Sequence, residues 1–192
     1  MRHFYKRRFC LFLILALLLT LWLWWSNNAL SVEEYTFASS RLGAGWDGAK
    51  IVHLSDLHGK EFGSGNARLL AAVREAAPEL IVITGDIADA QSGLDTVPAV
   101  LEGLSAIAPT YYVTGNHEWA LGSIRSLKSA IRETGVTVLT NEFLTLERNG
   151  DSILLAGIED VLEQETVTVE IQNVRIILFV IRVIRSPAGI GR

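Results

Sequence analysis

Three short polar clusters in this 192-residue chain, each placed directly after an apolar run, concentrate side chains that could hold a metal ion or move a proton. They are Ser55-Asp56-Leu57-His58, Thr84-Gly85-Asp86 and Thr114-Gly115-Asn116-His117-Glu118. Of the four histidines, His58 and His117 lie inside these clusters, His53 stands just upstream of the first, and His3 is near the amino terminus. Carboxylate and imidazole together suit a divalent transition metal, with Zn, Mn and Fe all admissible, whereas a calcium site would use oxygen alone. On an extended segment Asp56 and His58 would point to the same side, because side chains two apart share a face, and one ion could take both. Each element alone is weak, since an Asp after a strand is often a helix N-cap and Gly-Asp is a common turn. The ordered set at three strand ends is far more specific and points to metal-assisted chemistry in one crevice. His53, between apolar Val52 and Leu54, is read instead as a hydrogen-bonded strand histidine.

The elements that must position these clusters follow from periodicity. Ile51 to Leu54, Ile81 to Ile83 and Tyr111 to Val113 are short apolar runs of the kind that form buried strands. Between them, Leu69, Leu70, Val73, Ala76 and Ala77, then Val97, Val100, Leu101, Leu104 and Ile107, recur at helical spacing. Pro78 ends the first of these helices and Pro109 follows the second. A third helix is predicted with Leu121, Ile124, Leu127 and Ile131 on one face, closed by Gly135 before a strand from Val136 to Leu139. This β-α-β-α-β-α-β order predicts an α/β fold whose sheet begins parallel with right-handed crossovers. Asp56, Asp86 and Asn116 recur at equal steps of 30 residues, about one strand-helix unit each, so all three reach the carboxyl-end rim where open α/β sheets bind ligands. Phe143 to Leu146 and Ile153 to Ala156, joined through Asn149-Gly150, read as a hairpin.

These motifs resemble the calcineurin-like metallophosphoesterases, in particular their membrane-anchored bacterial branch. The resemblance runs from about Glu33 to Asp160 and is carried by Ile51 to Gly59, Leu80 to Asp86 and Tyr112 to Glu118. It implies a layered α/β/β/α fold, two divalent metal ions and hydrolysis of phosphate mono- or diesters or diphosphates by a two-metal hydroxide mechanism. It further implies that Asp56 and His58 hold the first metal, that Asp86 bridges both, and that Asn116 binds the second. His117 would contact the scissile phosphate and protonate the leaving oxygen. Glu118 is left open between an orienting partner for His117 and a first-turn residue that favours the helix dipole. No other cofactor-binding residue is singled out. The family pattern continues with further histidines that complete both metal sites, yet this chain has none after His117. The second site is therefore expected to be incomplete and hydrolysis impaired. The alternative is a non-catalytic, membrane-tethered module that keeps the fold for binding or structure.

Five segments are expected. Residues 1–8 form a basic tail, 9–25 a transmembrane anchor, 26–49 a linker with one edge strand around Val32, Tyr35 and Phe37, 50–160 the amino-terminal half of the metallophosphoesterase domain, and 161–192 a divergent tail, truncated or frame-shifted. Between Phe9 and Trp25 only Thr20 is polar, and as a helix the run would measure about 25 Å, the lower edge of a bilayer span. Arg2, Lys6, Arg7 and Arg8 precede it and no acidic residue appears before Glu33, which predicts a single pass with the amino terminus in the cytoplasm and the domain outside. A signal peptide shares this charge order but has a shorter apolar core. Trp22, Trp24 and Trp25 cluster where the helix would leave the membrane. The remainder carries 21 acidic residues against 13 basic ones, which argues against nucleic acid as a partner and leaves a phosphate ester, lipid-linked esters among the candidates, and the membrane itself. Cys10 lies inside the apolar run, so an intramolecular disulfide and a cysteine nucleophile are excluded. Val174 to Ile184 reads as a strand or as part of an unnatural tail.

Overall fold

Four parallel strands, β2 (Lys50–Ser55), β3 (Leu80–Ile83), β4 (Thr110–Tyr112) and β5 (Thr137–Val138), form the centre of a six-stranded sheet. The structure is a computed structural model and describes residues 2–88, 97–158 and 180–185. Each β-to-β step carries a helix: α2 (Ala67–Ala76), α3 (Val97–Ser105), then the pair α4 (Asn116–Ala120) and α5 (Ile124–Glu133). Two further strands complete the sheet at the β2 side, β1 (Ser31–Thr36) at the edge and β8 (Val180–Arg185) between β1 and β2, giving the order β1-β8-β2-β3-β4-β5. β8 runs parallel to β2 and antiparallel to β1.

Period-two alternation divides the core between the two faces of this sheet. Val52, Leu54, Ile81, Ile83, Tyr112 and Val138 face the helices and pack with Leu69, Val73, Leu101, Leu104, Leu127 and Ile131. Ile51 and Leu80, with Val82 and Tyr111 partly buried beside them, face the other way onto Trp46, Leu146 and Ile153. That second layer is a hairpin, β6 (Glu142–Arg148) with β7 (Asp151–Gly157). Its two-residue loop has positive φ at both Asn149 and Gly150, the mirror-image turn that matches strand twist. The loop end is tied down by polar contacts: Gly45 N–H donates to the Asp151 carboxylate at 2.6 Å, Trp46 Nε1 to the Asp151 carbonyl at 3.1 Å, and Arg148 pairs with Glu79 at 2.8 Å. The result is the α/β fold with a parallel sheet that periodicity predicts, in helix, sheet, sheet layers. Phe143, on the outer side of the hairpin, is 59% exposed.

Two boundaries differ from expectation. The predicted third helix is two helices, because Gly122 at φ +72° breaks the chain between α4 and α5, and Leu121 becomes the cap of α4 instead of a face residue of α5. The predicted strand Val136 to Leu139 pairs only over Thr137 and Val138. Of the tail, β8 is described and fills the sheet, while residues 159–179 and 186–192, including Glu159, Asp160 and most of the run from Val174, lie outside the described residues. At the other terminus α1 (Arg2–Asn28) contains a span from Phe4 to Trp25 of mean hydropathy 2.0, long and apolar enough to cross a membrane, and none of it is buried against the domain.

Candidate metal centre

β2, β3 and β4 end at one rim, and the backbone turns sharply there. Asp56, His58 and Asp86 all adopt positive φ, between 51° and 56°. The expectation that Asp56 and His58 lie on an extended segment is thereby corrected: β2 stops at Ser55, and a left-handed turn, not strand alternation, aims the two side chains. Such conformations cost roughly 1–3 kcal/mol each in a non-glycine residue and persist where the surroundings impose them. Here the surroundings are backbone hydrogen bonds between loops: His58 N–H donates to the Asp86 carbonyl at 2.9 Å, and Gly59 N–H donates to the Ile87 carbonyl.

Ligand atoms of His58, Asp86 and His117 all lie within 4.8 Å of one another, and each residue is partly buried. The His58 and His117 rings meet edge to face with centroids 4.8 Å apart. Asp56 Oδ1 stands 3.8 Å from His58 Nε2, and Asp56 also accepts from the Ser55 hydroxyl. Asp86 Oδ1 accepts from the His117 N–H at 3.1 Å, so the carboxylate is aimed at the start of α4. Asn116, the first residue of α4, has an exposed side chain. A four-coordinate first-row ion with bonds of about 2.0–2.2 Å spaces its donors roughly 3.4 Å apart, so this mixed imidazole and carboxylate set fits a divalent cation after contraction of about an ångström.

Close approach of the Gly85-Asp86 and Gly115-Asn116 turns makes this geometry possible. A Cβ on Gly85 would fall 2.1 Å from the Gly115 nitrogen, and one on Gly115 would fall 2.3 Å from Asp86 Oδ1. Behind the turns sits Glu118, 1% exposed. Its Oε2 accepts N–H groups from Asp86 and Gly115 at 2.8 and 2.9 Å, and its Oε1 accepts those of Ile87 and Ala88 at 2.8 and 3.2 Å. The first-turn position considered for Glu118 from sequence is the observed one, and its carboxylate does more there than favour the helix dipole. It is an internal brace that joins the Asp86 turn to the N-cap of α4. The available signal was its place three residues after a capping position, the spacing at which an acidic side chain reaches back to the N-cap N–H. His53 shares a hydrogen bond with the Thr84 hydroxyl at 2.7 Å, in keeping with a strand histidine held by a partner. Burial lowers its pKa below the usual imidazole range, and the Asp56 carboxylate pushes partly back.

A layered α/β domain with carboxylates and imidazoles converging at the carboxyl ends of its parallel strands has its candidate site where open α/β sheets bind ligands, with a donor set suited to a divalent metal. The sequence pattern of the calcineurin-like phosphoesterases matches residues 49–179, and the chain belongs to that family. Among curated relatives, the metallophosphoesterase YkuE of Bacillus subtilis (strain 168) is 31% identical over 141 residues, 70% of this chain and 49% of that protein. The transmembrane protein with metallophosphoesterase domain of Danio rerio is 31% identical over 122 residues, 59% of this chain and 28% of its own length. The chain thus spans half or less of these relatives. The solved phosphopantetheinyl hydrolase PptH of Mycobacterium tuberculosis aligns with a TM-score of 0.42 at 22% identity, covering 57% of this chain and 43% of that one.

Proposed function

We propose that the chain holds divalent metal, Mn, Fe or Zn, through Asp56, His58, Asp86 and Asn116, and that it hydrolyses a phosphate mono- or diester or diphosphate with His117 as proton donor. The observation that supports this most is the gathering of His58, Asp86 and His117 ligand atoms within 4.8 Å at the strand ends. Bound divalent ions would supply Lewis acidity, acidifying a water and offsetting the charge of the phosphate. The remaining roles fall to the side chains. Asp86, fixed by the His117 N–H, presents its carboxylate between the two turns. His117 hands a proton to the ester oxygen while the bond from phosphorus to that oxygen breaks, and a water oxygen bonds to phosphorus and gives up its proton to solvent. The apolar span and the basic residues before it support a single-pass anchor with the domain on the extracytoplasmic side.

Calorimetric titration with Mn and an aryl phosphodiester assay on the full chain in detergent test this together. Asp86→Ala is expected to lower Mn affinity at least about tenfold and to abolish hydrolysis. His117→Asn is expected to slow hydrolysis about 100-fold or more with Mn affinity nearly unchanged, as for loss of a general acid. Equal loss of affinity in His117→Asn would make that residue a ligand, and equal rates in the parent and Asp86→Ala would remove the enzymatic reading. A second reading is a non-catalytic module tethered to the membrane, and within the proposed set a second ion would be held by Asp86 and Asn116, the latter with an exposed side chain. One weak Mn site and slow hydrolysis are expected, and two tight sites would contradict an incomplete centre.

A further inference from the structure

The position at which the anchor joins the sheet bears on what the crevice can reach. Only Ala29 and Leu30 separate the end of α1 at Asn28 from the start of β1 at Ser31, and Leu30 packs against the main core. The join is short and docked, not a loose tether. β1 runs antiparallel to β8 with Ser31 opposite Arg185, and β8 runs parallel to β2 with Arg185 opposite Ser55. Ser31 therefore lies two strand spacings, roughly 10 Å, from the residue that precedes Asp56. Three residues of chain add at most about 10 Å, so Asn28 is within roughly 20 Å of Ser55. Had β1 run the other way, the anchor would have entered at the amino ends of the strands, one strand length further off.

Two more observations set the direction. No part of the Phe4–Trp25 span is buried on the domain, so the helix leads away from it and does not fold back along its side. Trp22, Trp24 and Trp25, each more than half exposed, lie in the last turns before the join, where interfacial aromatics hold a helix end at the headgroup level. From this placement we infer that the metal-site rim faces the bilayer, and that the phosphate ester it takes is the headgroup of an amphiphile in the leaflet from which the domain emerges. The substrate part rests on the phosphoesterase reading above, while the orientation part does not. Confinement to one surface would raise the effective concentration of such an ester over a soluble one without any new contact.

The test uses the full chain carrying Cys10→Ser and one labelled cysteine, either Ser64→Cys in the exposed turn beyond the carboxyl end of β2, or Asp47→Cys, exposed ahead of its amino end. In phosphatidylcholine vesicles containing headgroup-labelled acceptor lipid, energy transfer is expected to be stronger from position 64 than from position 47. Equal or reversed transfer would overturn the orientation. With Mn present, an aryl phosphodiester bearing an acyl chain, inserted in the same vesicles, is expected to be hydrolysed at least tenfold faster than its soluble counterpart, and a 20-residue flexible insertion after Asn28 is expected to bring the ratio near one. A ratio near one in the uninserted chain would overturn the substrate inference. Failure to hydrolyse either ester would count against the phosphoesterase reading, and the energy-transfer order would still decide the orientation.

Discussion

With Glu118 replaced by alanine, the buried N–H groups of Ile87, Ala88 and Gly115 and the part-buried one of Asp86 lose their acceptor at once. Each unsatisfied buried donor costs about 1–3 kcal/mol, so Glu118→Ala is expected to leave little of the fold. Glu118→Gln keeps one acceptor oxygen and turns an amide N–H₂ against the other pair of donors. A loss of about 2–4 kcal/mol is expected, read from chemical denaturation, with weaker Mn binding because the Asp86 turn loosens. Unchanged stability in Glu118→Gln would show that the brace is not rigid. His53 offers a pH-dependent counterpart. Its pKa is lowered in the folded state by burial, with Asp56 opposing, so near and below the ordinary imidazole value the unfolded chain binds the extra proton. Stability is therefore expected to fall as pH drops below about 6.5, towards the lowered folded-state pKa. His53→Gln should flatten that decline in urea titrations at successive pH values, and an identical slope would refute the assignment.

At the scale of elements, the site depends on two turns approaching closer than any side chain allows. In Gly115→Ala the new Cβ would overlap Asp86 Oδ1 at 2.3 Å and also press on the Asp86 nitrogen at 2.9 Å. The turn must move, at a cost of about 1–3 kcal/mol by the usual scale of overpacking, and the carboxylate moves with it. Mn affinity is expected to fall at least tenfold in calorimetry while far-ultraviolet circular dichroism is retained. Retained affinity would mean that Asp86 is not held by this contact. The two-residue hairpin loop and the breaking of the predicted third helix at Gly122 show the same dependence on local backbone conformation, since positive φ at Asn149, Gly150 and Gly122 sets where each element stops.

For the molecule as a whole, location turns on the apolar helix α1, proposed above as a membrane anchor. Two arginines near the middle of the span, in Leu15→Arg with Leu18→Arg, each add about 2.5–3.5 kcal/mol to the free energy of insertion. The doubly substituted chain is expected to leave the membrane fraction on alkaline extraction where the parent remains. Retention of both would argue against a spanning helix. Below the anchor, the layers depend on the hairpin and on β8, and the outer side of the hairpin keeps Phe143 in solvent.

Much of this was available from residue order. The apolar runs at Ile51, Ile81 and Tyr111, too short for helices and each ending in a polar cluster, with helical spacings between them, specified a parallel α/β sheet because strands separated by helices pair through crossovers. The recurrence of Asp56, Asp86 and Asn116 at 30-residue steps specified a common rim, since each step is one crossover unit. What side chains do on that rim was decided only by the folded chain. The left-handed turns at Asp56, His58 and Asp86, the approach of Gly85 to Gly115, and the burial of Glu118 beneath them depend on contacts between segments about 30 residues apart, and no local pattern encodes such contacts. The same holds for the apolar helix α1: its length is a property of residues Phe4 to Trp25 alone, but its junction at the end of the sheet that carries the candidate site follows from the antiparallel pairing of β1 with β8, a choice of partner made across some 150 residues of chain.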